Sequence, residues 1–203
     1  EFAYHDGYYE GIEQEFRGFG AADAIALGDG HHPTAITRTH FRQGRRPTDI
    51  ASDRLADNPR EALKGRQWLS EVFDEGGTYL SSSLATLTVR HLMTGLDGRG
   101  IYYGYVSQTD EFRYGTHGAG VGSEVRELPA FITESVDPST GTHPTGVTEE
   151  TRVVPIRSTD WAHIRSNTTE VDNLGQVREQ IARGRIEDAN GAGPDQVIVS
   201  RTF

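Results

Sequence analysis

The chain has no cysteine among its 203 residues. Neither a disulfide framework nor a thiolate metal site can form, and the sequence does not mark an oxidising or a reducing compartment. No apolar run approaches the roughly 18 residues that a membrane-spanning helix needs, and no signal peptide opens the sequence. Hydrophobic residues make up only 34% of the chain, which suits a thin core or sheets with one solvated face.

Positive charge is also scarce. The chain has 20 Lys and Arg against 30 Asp and Glu, which gives a formal net charge of −10 at pH 7. An acidic chain repels phosphate backbones, so we do not expect nucleic acid as a partner. Glycine, in contrast, is frequent at 24 residues, a composition typical of many tight turns.

Alternation of polar with apolar, β-branched and aromatic residues predicts an all-β fold of about a dozen mainly antiparallel strands. One short helix is predicted near residues 59–65, because Pro59 suits a first helical position and Gly65 an end. Residues 67–73 are predicted as a strand or as the tail of that helix. The other predicted strands are 2–9, 12–19, 35–42, 84–92, 101–106, 111–114, 130–136, 151–156, two strands around a turn at 172–175, and 197–199.

The sequence favours a single β-rich segment over residues 1–203. We expect it to be excised from a longer polypeptide, because Glu1 is not an initiator methionine and a strand-like run almost reaches the last residue. Loop breaks are predicted near 115–123, which is rich in glycine, and near 137–146, which contains proline and glycine.

Two groups of polar residues suggest reactive sites, and each has a simpler interpretation. Glu13 and Glu15 share one face of a predicted strand, and paired carboxylates hydrolyse glycosides, but acidic residues are also common on solvated faces. His31 and His32 with Asp29 suggest a metal site, yet adjacent histidines point to different sides and no third ligand has suitable spacing. We therefore expect no catalytic residue, no metal site and no cofactor.

Asp172 and Gly175 lie in a predicted turn. Asp172 is expected to accept a hydrogen bond from the backbone of its own turn, while Gly175 adopts a positive φ. The alternative of a calcium-binding loop lacks the alternating oxygen ligands and the closing glutamate.

Aromatic residues are concentrated in the predicted strands. They suggest either a sugar-binding platform or cross-strand packing, which is the commoner use of such residues. Packing is expected to matter most at Tyr9, Phe16, Trp68 and Trp161, and Phe16→Ala is expected to cost roughly 3–5 kcal/mol if the ring is buried. The aromatic residues in question are Tyr8, Tyr9, Phe16, Phe19, Tyr102, Tyr103, Tyr105, Phe112 and Tyr114.

The most specific pattern lies in the first twenty residues. Residues 4–11 read Y-H-D-G-Y-Y-E-G and residues 13–20 read E-Q-E-F-R-G-F-G. This pattern resembles the segment Y-x-D-G-Y-Y-[DE]-G-x-x-[RQ]-E-F-R-G-F-G of insecticidal toxin complex (Tc) B components, the TcdB-like family, and of their Rhs-type relatives. Residues 36–44, 60–65 and 71–74 agree with the family in order, although His40 stands where the family has Trp and Arg42-Gln43 stands where it has His-Thr. The residues that carry the motif are Asp6, Gly7, Tyr8, Tyr9, Glu15, Phe16, Arg17, Gly18, Phe19 and Gly20, with Asp172 and Gly175 in a partial match to an Rhs (YD) repeat.

The resemblance implies a middle or C-terminal region of a Tc B component, found beside SpvB-type and Rhs modules. In that family the B and C components form a hollow β-sheet shell around a cytotoxic effector, which passes to the channel of the A component. The chain is then expected to be a non-catalytic wall segment, secreted after a stay in the cytoplasm. Its partners are expected to be the rest of its own toxin chain and the A and C components, with no nucleic acid and no membrane insertion. The alternative is an independent carbohydrate-binding or glycosidase-like β-sandwich.

Overall fold

A computed structural model gives the fold of the chain. It describes residues 1–11, 14–29, 31–44, 59–115, 124–135, 145–172, 176–193 and 197–202. The predicted loop breaks at 115–123 and 137–146 fall almost entirely outside these ranges. Glu13 and Gly175 also lie outside them.

The N-terminal part of the chain forms four strands that pair in sequence order. Their bounds are β1 (Phe2–Glu10), β2 (Glu15–Ala26), β3 (Ala35–Phe41) and β4 (Gln67–Asp74). Each is antiparallel to the next. The region predicted as a strand or as a helical tail, residues 67–73, is therefore a strand.

The remaining strands complete the same sheet. Their bounds are β5 (Tyr79–Thr94), β6 (Gly100–Tyr114), β7 (Val125–Ser135), β8 (Thr145–Pro155), β9 (Trp161–Val171), β10 (Val177–Asp188), β11 (Gly191–Ala192) and β12 (Val197–Arg201). The twelve strands form one hydrogen-bonded sheet with the order β1-β2-β3-β4-β5-β6-β9-β10-β11, and β12 also pairs with β10. The all-β prediction is confirmed, and the strands of the described residues form one sheet rather than the two of a sandwich.

The long strand β5 organises the centre of the sheet. One edge pairs with β6 along almost its full length, from Ser81 to Thr94. The other edge pairs with β4 over its first half and, in parallel, with β7 over Leu87–Arg90. The hairpin of β7 and β8 therefore branches from the main path of the sheet.

Two clusters of buried side chains hold these strands together. The larger joins β5 and β6 to β7, β8 and β9, and its buried members are Leu84, Phe112, Tyr114, Leu128, Val154, Ile156 and Trp161. The smaller joins Leu63 to Leu87, Val89 and Phe131. Both clusters lie where the β7–β8 hairpin and the segment at residue 63 meet β5, so the core is local to the middle of the sheet.

The predicted helix is a 3₁₀ helix over Pro59–Leu63. Gly65 follows with φ of 75°, a left-handed conformation that glycine adopts without strain, so the chain turns there as expected. Leu63 anchors this short helix in the smaller core cluster. No helix in the described part of the chain is long and apolar enough to cross a membrane.

Several strand boundaries differ clearly from the sequence prediction. The strands predicted at 84–92, 130–136 and 151–156 begin five or six residues earlier, as β5, β7 and β8. Two further differences have a clear cause. Residues 101–106 and 111–114 belong to one strand, because pairing with β5 continues through the polar residues between them. The strand predicted at 12–19 begins at Glu15 and continues to Ala26, because its alanine-rich second half pairs with β3. Alanine carries little β propensity, so the alternation signal stops before the strand does.

Candidate functional site

The N-terminal motif forms a distorted antiparallel hairpin. Asp6 has φ of 54° and Gly18 has φ of 88°, and the register shifts between Gly7 and Tyr9. A Cβ atom on Gly20 would lie 3.0 Å from the Cβ of Asp6, so a larger residue there would crowd the opposite strand. Backbone geometry therefore accounts for Gly18, and close packing against the opposite strand accounts for Gly20.

Gln43 fixes this distortion from outside the hairpin. Its Nε2 donates hydrogen bonds to the carbonyl oxygens of Asp6, at 2.8 Å, and Gly18, at 3.0 Å. Both acceptors sit at left-handed positions, where the regular pairing of the strands is interrupted. Gln43 lies in a patch of resemblance to the family, yet nothing in its local sequence identifies this bridging role.

The aromatic residues of the hairpin lie on its solvated face. Tyr4 stacks on Phe19 with ring centroids 4.8 Å apart, and Phe16 meets Phe19 edge to face at 5.3 Å. The Phe19 and Phe16 rings also cover Gly7, at 3.3–3.5 Å from the position that a Cβ would take. Phe16 is nevertheless 52% exposed, so the condition for a loss of 3–5 kcal/mol is not met.

Packing is expected at Tyr9 and Phe16, and Phe16 does pack on Phe19 across the hairpin. Both side chains are nevertheless more than half exposed, because the core clusters lie at the middle of the sheet and not under this hairpin. The later aromatic residues behave as expected. Phe112, Tyr114 and Trp161 are buried in the larger cluster, and Trp68 packs against the smaller one.

The opposite face of the hairpin buries charge. Arg17 Nη1 donates to both carboxylate oxygens of Glu61, at 2.7 and 2.8 Å, and the Arg17 side chain is 1% exposed. Glu15 pairs with Lys64, and this contact lowers the pKa of the Glu15 carboxyl. These contacts tie β2 to the 3₁₀ helix through Glu61 and to the residue that follows the helix, Lys64. Glu15 is thus held in an ion pair rather than aimed at a cleft.

The acidic and imidazole groups predicted at residues 29–32 form a turn. The Asp29 carboxylate accepts hydrogen bonds from the backbone amides of His31 and His32, at 2.8 and 2.9 Å, and these bonds lower its pKa. Both histidines are exposed. Among the described residues, no group of three His, Asp or Glu is arranged to hold a metal ion.

Asp172 likewise serves its own turn. Its Oδ1 accepts a hydrogen bond from the backbone amide of Gln176 at 2.8 Å, and its Oδ2 pairs with Arg178. The predicted bond from Asp172 to the backbone of its turn is therefore present. Its partner in the prediction, Gly175, lies outside the described residues.

A buried polar cluster joins β6, β9 and β10, and the sequence did not reveal it. The ring of His163 lies between two carboxylates, with Nε2 at 2.8 Å from Asp110 Oδ1 and Nδ1 at 2.9 Å from Glu187 Oε1. Arg165 Nε and Gln108 Nε2 also donate to Asp110, at 2.7 and 2.6 Å. We call these five residues the polar cluster. Members on different strands are 22 to 79 positions apart in the sequence, so no local motif could have indicated the cluster.

Hydrogen bonding sets the charge of the two acids in the polar cluster. Burial favours the neutral form of Asp110, but bonds from His163, Gln108 and Arg165 outweigh it and hold the pKa of Asp110 below its ordinary 3.8. Burial opposes charge at Glu187 too, yet His163 and Arg126 hold its pKa below the ordinary 4.5. Both acids are therefore ionised at neutral pH, and the stability they contribute is lost as the pH falls through these lowered values.

An open groove of about 820 Å³ lies above this region, in the size range of small-molecule sites. Hydroxyl and amide side chains line much of it, together with apolar residues of β7 and β10. Asp110 and His163 are each 1% exposed, so they lie beneath the surface and do not line the groove. Residues that line it include Thr86, Ser107, Gln108, Asn167, Pro129 and Ile132.

Comparison with known proteins finds solved structures that share this fold. No protein-family profile matches the chain, and no curated protein matches it in sequence. The solved structure of a TcdB2–TccC3 complex matches with a TM-score of 0.55 at 15% identity, over 92% of this chain and 9% of that one. The pore of the Photorhabdus luminescens Tc holotoxin matches with a TM-score of 0.53 at 15% identity, over the same shares of the two chains. The chain therefore has the fold of a segment within Tc toxin complexes and spans about a tenth of the length of the chains that it matches.

Proposed function

We propose that the chain is a non-catalytic structural segment of a toxin-complex B component, forming part of the β-sheet shell that encloses a cytotoxic effector. The observation that carries the proposal is the fold, which follows a segment of TcdB2–TccC3 complexes over 92% of this chain. The N-terminal motif, which resembles the same family, supports it independently of the fold. The association with SpvB-type and Rhs modules and the secreted location belong to the same proposal.

The surface of the sheet supports a role inside a larger assembly. The aromatic face of the β1–β2 hairpin is exposed, and the side chains of β12 are exposed along its whole length, including Val197, Ile198 and Val199. Exposed aromatic patches and apolar edge strands are interaction surfaces or aggregation hazards in an isolated domain. Neighbouring parts of the same toxin chain, and the A and C components, are the partners that we propose for these surfaces.

The ionisable residues also support a structural role. Asp23 is buried and binds Arg38 through two hydrogen bonds of 2.8 Å, while Arg157 reaches the buried Glu71 at 3.1 Å. The acids and bases of the polar cluster likewise bind one another. Such pairs fix the register between strands, whereas hydrolysis needs acids that reach a substrate.

Protease protection of the effector tests the proposal in the intact toxin. The B component that carries this chain is purified with its C component, and cleavage of the enclosed effector is followed over time. Trp161→Ala, which opens the larger core cluster, is expected to expose the effector to protease. Leu96→Ala, at a fully exposed turn position, is the matched control and is expected to leave protection intact. Equal protection in both variants would contradict a wall function.

A second candidate function is an independent carbohydrate-binding or glycosidase-like module. The exposed stack of Tyr4 on Phe19 favours it, because sugar rings bind to such aromatic faces. A glycan array distinguishes the two functions. Specific binding that is lost in Tyr4→Ala would support the sugar-binding function, and a silent array would leave the shell segment as the better proposal.

A further inference from the structure

His163 has an acidic partner at each ring nitrogen although its side chain is almost completely buried. Asp110 lies at Nε2 and Glu187 at Nδ1, and both acids are ionised at neutral pH. A carboxylate can only accept a hydrogen bond, and a neutral imidazole has a single N–H. Both contacts can therefore be hydrogen bonds at the same time only when both ring nitrogens carry hydrogen.

Asp110 and Glu187 differ in their freedom to move when the His163 ring loses one hydrogen. Asp110 is fully buried and also accepts from Gln108 and Arg165, so it is fixed in place. The Glu187 side chain is 32% exposed, and Arg126 Nη2 donates to its Oε2 at the longer distance of 3.3 Å. A neutral imidazole therefore keeps its hydrogen on Nε2 towards Asp110. The lone pair of Nδ1 then faces the Glu187 carboxylate, which can turn to water.

Loss of the hydrogen bond between His163 and Glu187 would affect one end of β10. Glu187 pairs with His163 of β9 in the sheet register, and it pairs with Ala192 of β11 on its other side. We propose that His163 is a proton-dependent tie, which holds the end of β10 to β6 and β9 through Glu187 and releases that end when one ring nitrogen loses its hydrogen. This inference concerns the sheet itself and does not depend on the proposed function.

The surroundings of the ring determine which charges act on it. The Phe112 ring stacks on His163 with centroids 4.4 Å apart, which closes one face of the imidazole to water. The charged groups that face the ring or its two acids come from four sides: Asp110 on β6, Arg165 on β9, Glu187 on β10, and Arg126 on β7 with its partner Glu124. Opposite charges alternate through this set, because Arg165 pairs with Asp110 and Arg126 pairs with both Glu187 and Glu124.

Hydrogen exchange measured by mass spectrometry tests the tie in the intact protein. Protection of the backbone amides in residues 182–193 is compared at about pH 5.5 and about pH 8.5, which span the range in which histidine changes charge. After correction for the intrinsic effect of pH on exchange, this segment is expected to lose protection roughly ten- to a hundredfold at the higher pH, the size of one charge-assisted hydrogen bond. Residues 79–94 of β5 serve as an internal control and are expected to show no such change.

Glu187→Gln is the matched variant. A glutamine amide can accept from an N–H or donate to a lone pair, so its contact with Nδ1 persists in both states of the ring. The pH effect on residues 182–193 is expected to disappear in this variant. His163→Gln, which has a donor and an acceptor at every pH, is a second variant with the same expected result. No pH effect in the wild type, or an equal effect in wild type and both variants, would overturn the proposal.

Discussion

At the scale of single residues, the N-terminal hairpin distributes charge and aromatic surface in an unusual way. The guanidinium of Arg17 is buried against Glu61, whereas the ring of Phe16 on the neighbouring position is half exposed. Burial of the charge is possible because two short hydrogen bonds replace those made to water. The exposed ring gains less from the hydrophobic effect, since much of its apolar area stays in water.

This difference predicts unequal costs for two aromatic truncations. Trp161→Ala removes a buried ring from the larger core cluster and is expected to lower the free energy of unfolding by about 3–5 kcal/mol. Phe16→Ala is expected to cost only about 1–2 kcal/mol, because roughly half of the ring is already exposed. Chemical denaturation followed by circular dichroism measures both values. Equal costs would show that the hairpin face is covered in solution.

The polar cluster marks a limit of sequence reasoning at this scale. His163 looks like one of several scattered histidines, because Asp110 lies 53 positions before it and Glu187 lies 24 positions after it. Only the pairing of β9 with both β6 and β10 brings the three together. The hairpin motif is different, since Gly7 and Gly18 lie close in sequence and the motif predicts two strands joined by a turn, whereas the distortion of their pairing comes from the structure.

At the scale of elements, the 3₁₀ helix packs closely against β6 at Gly104, a position that has no side chain. A Cβ atom at Gly104 would lie 2.7 Å from the carbonyl oxygen of Ala62 and 3.0 Å from Leu63 Cδ2. Arg66 also donates to the Gly104 carbonyl at 2.9 Å, so the segment after the helix is held at the same point. The helix and β6 are thus in direct backbone contact, which a larger residue would prevent.

Gly104→Ala is accordingly expected to destabilise the protein by about 1–3 kcal/mol, the usual cost of overpacking, with loss of protection around Leu63. Gly11→Ala is the matched control, because a Cβ there would meet no atom within 4 Å. That substitution is expected to be neutral or to stabilise by up to about 1 kcal/mol, since alanine restricts the unfolded chain. Thermal unfolding of the two variants separates these outcomes, and a neutral Gly104→Ala would contradict the close contact.

Most strands could be predicted because alternation and β-branched residues report a sheet surface directly. The prediction failed where polar residues inside a strand are partly or fully buried, as in the stretch of β6 from Ser107, which is half-buried, to Asp110, which is buried. There a hydrogen-bonded network replaces the apolar side chains that the alternation pattern expects. It also missed the two-residue strand β11, which pairs across a turn with the end of β10 and is too short to show any period.

At the scale of the whole molecule, the chain is a sheet with little interior. Its core clusters occupy the middle, whereas the β1–β2 hairpin and β12 extend away with exposed faces. Strand order follows chain order for most of the sheet, so neighbouring strands of the described residues are joined mainly by hairpins. Exposed aromatic patches and apolar edge strands of this kind are interaction surfaces or aggregation hazards.

Cryo-electron microscopy of the intact toxin component with its partner tests the central claim most directly. The account predicts that residues 1–203 form part of a curved β-sheet around an interior that holds the effector, with the aromatic face of β1–β2 and the strand β12 covered by neighbouring chain. A separate domain outside any enclosure, with these surfaces exposed to solvent, would contradict it.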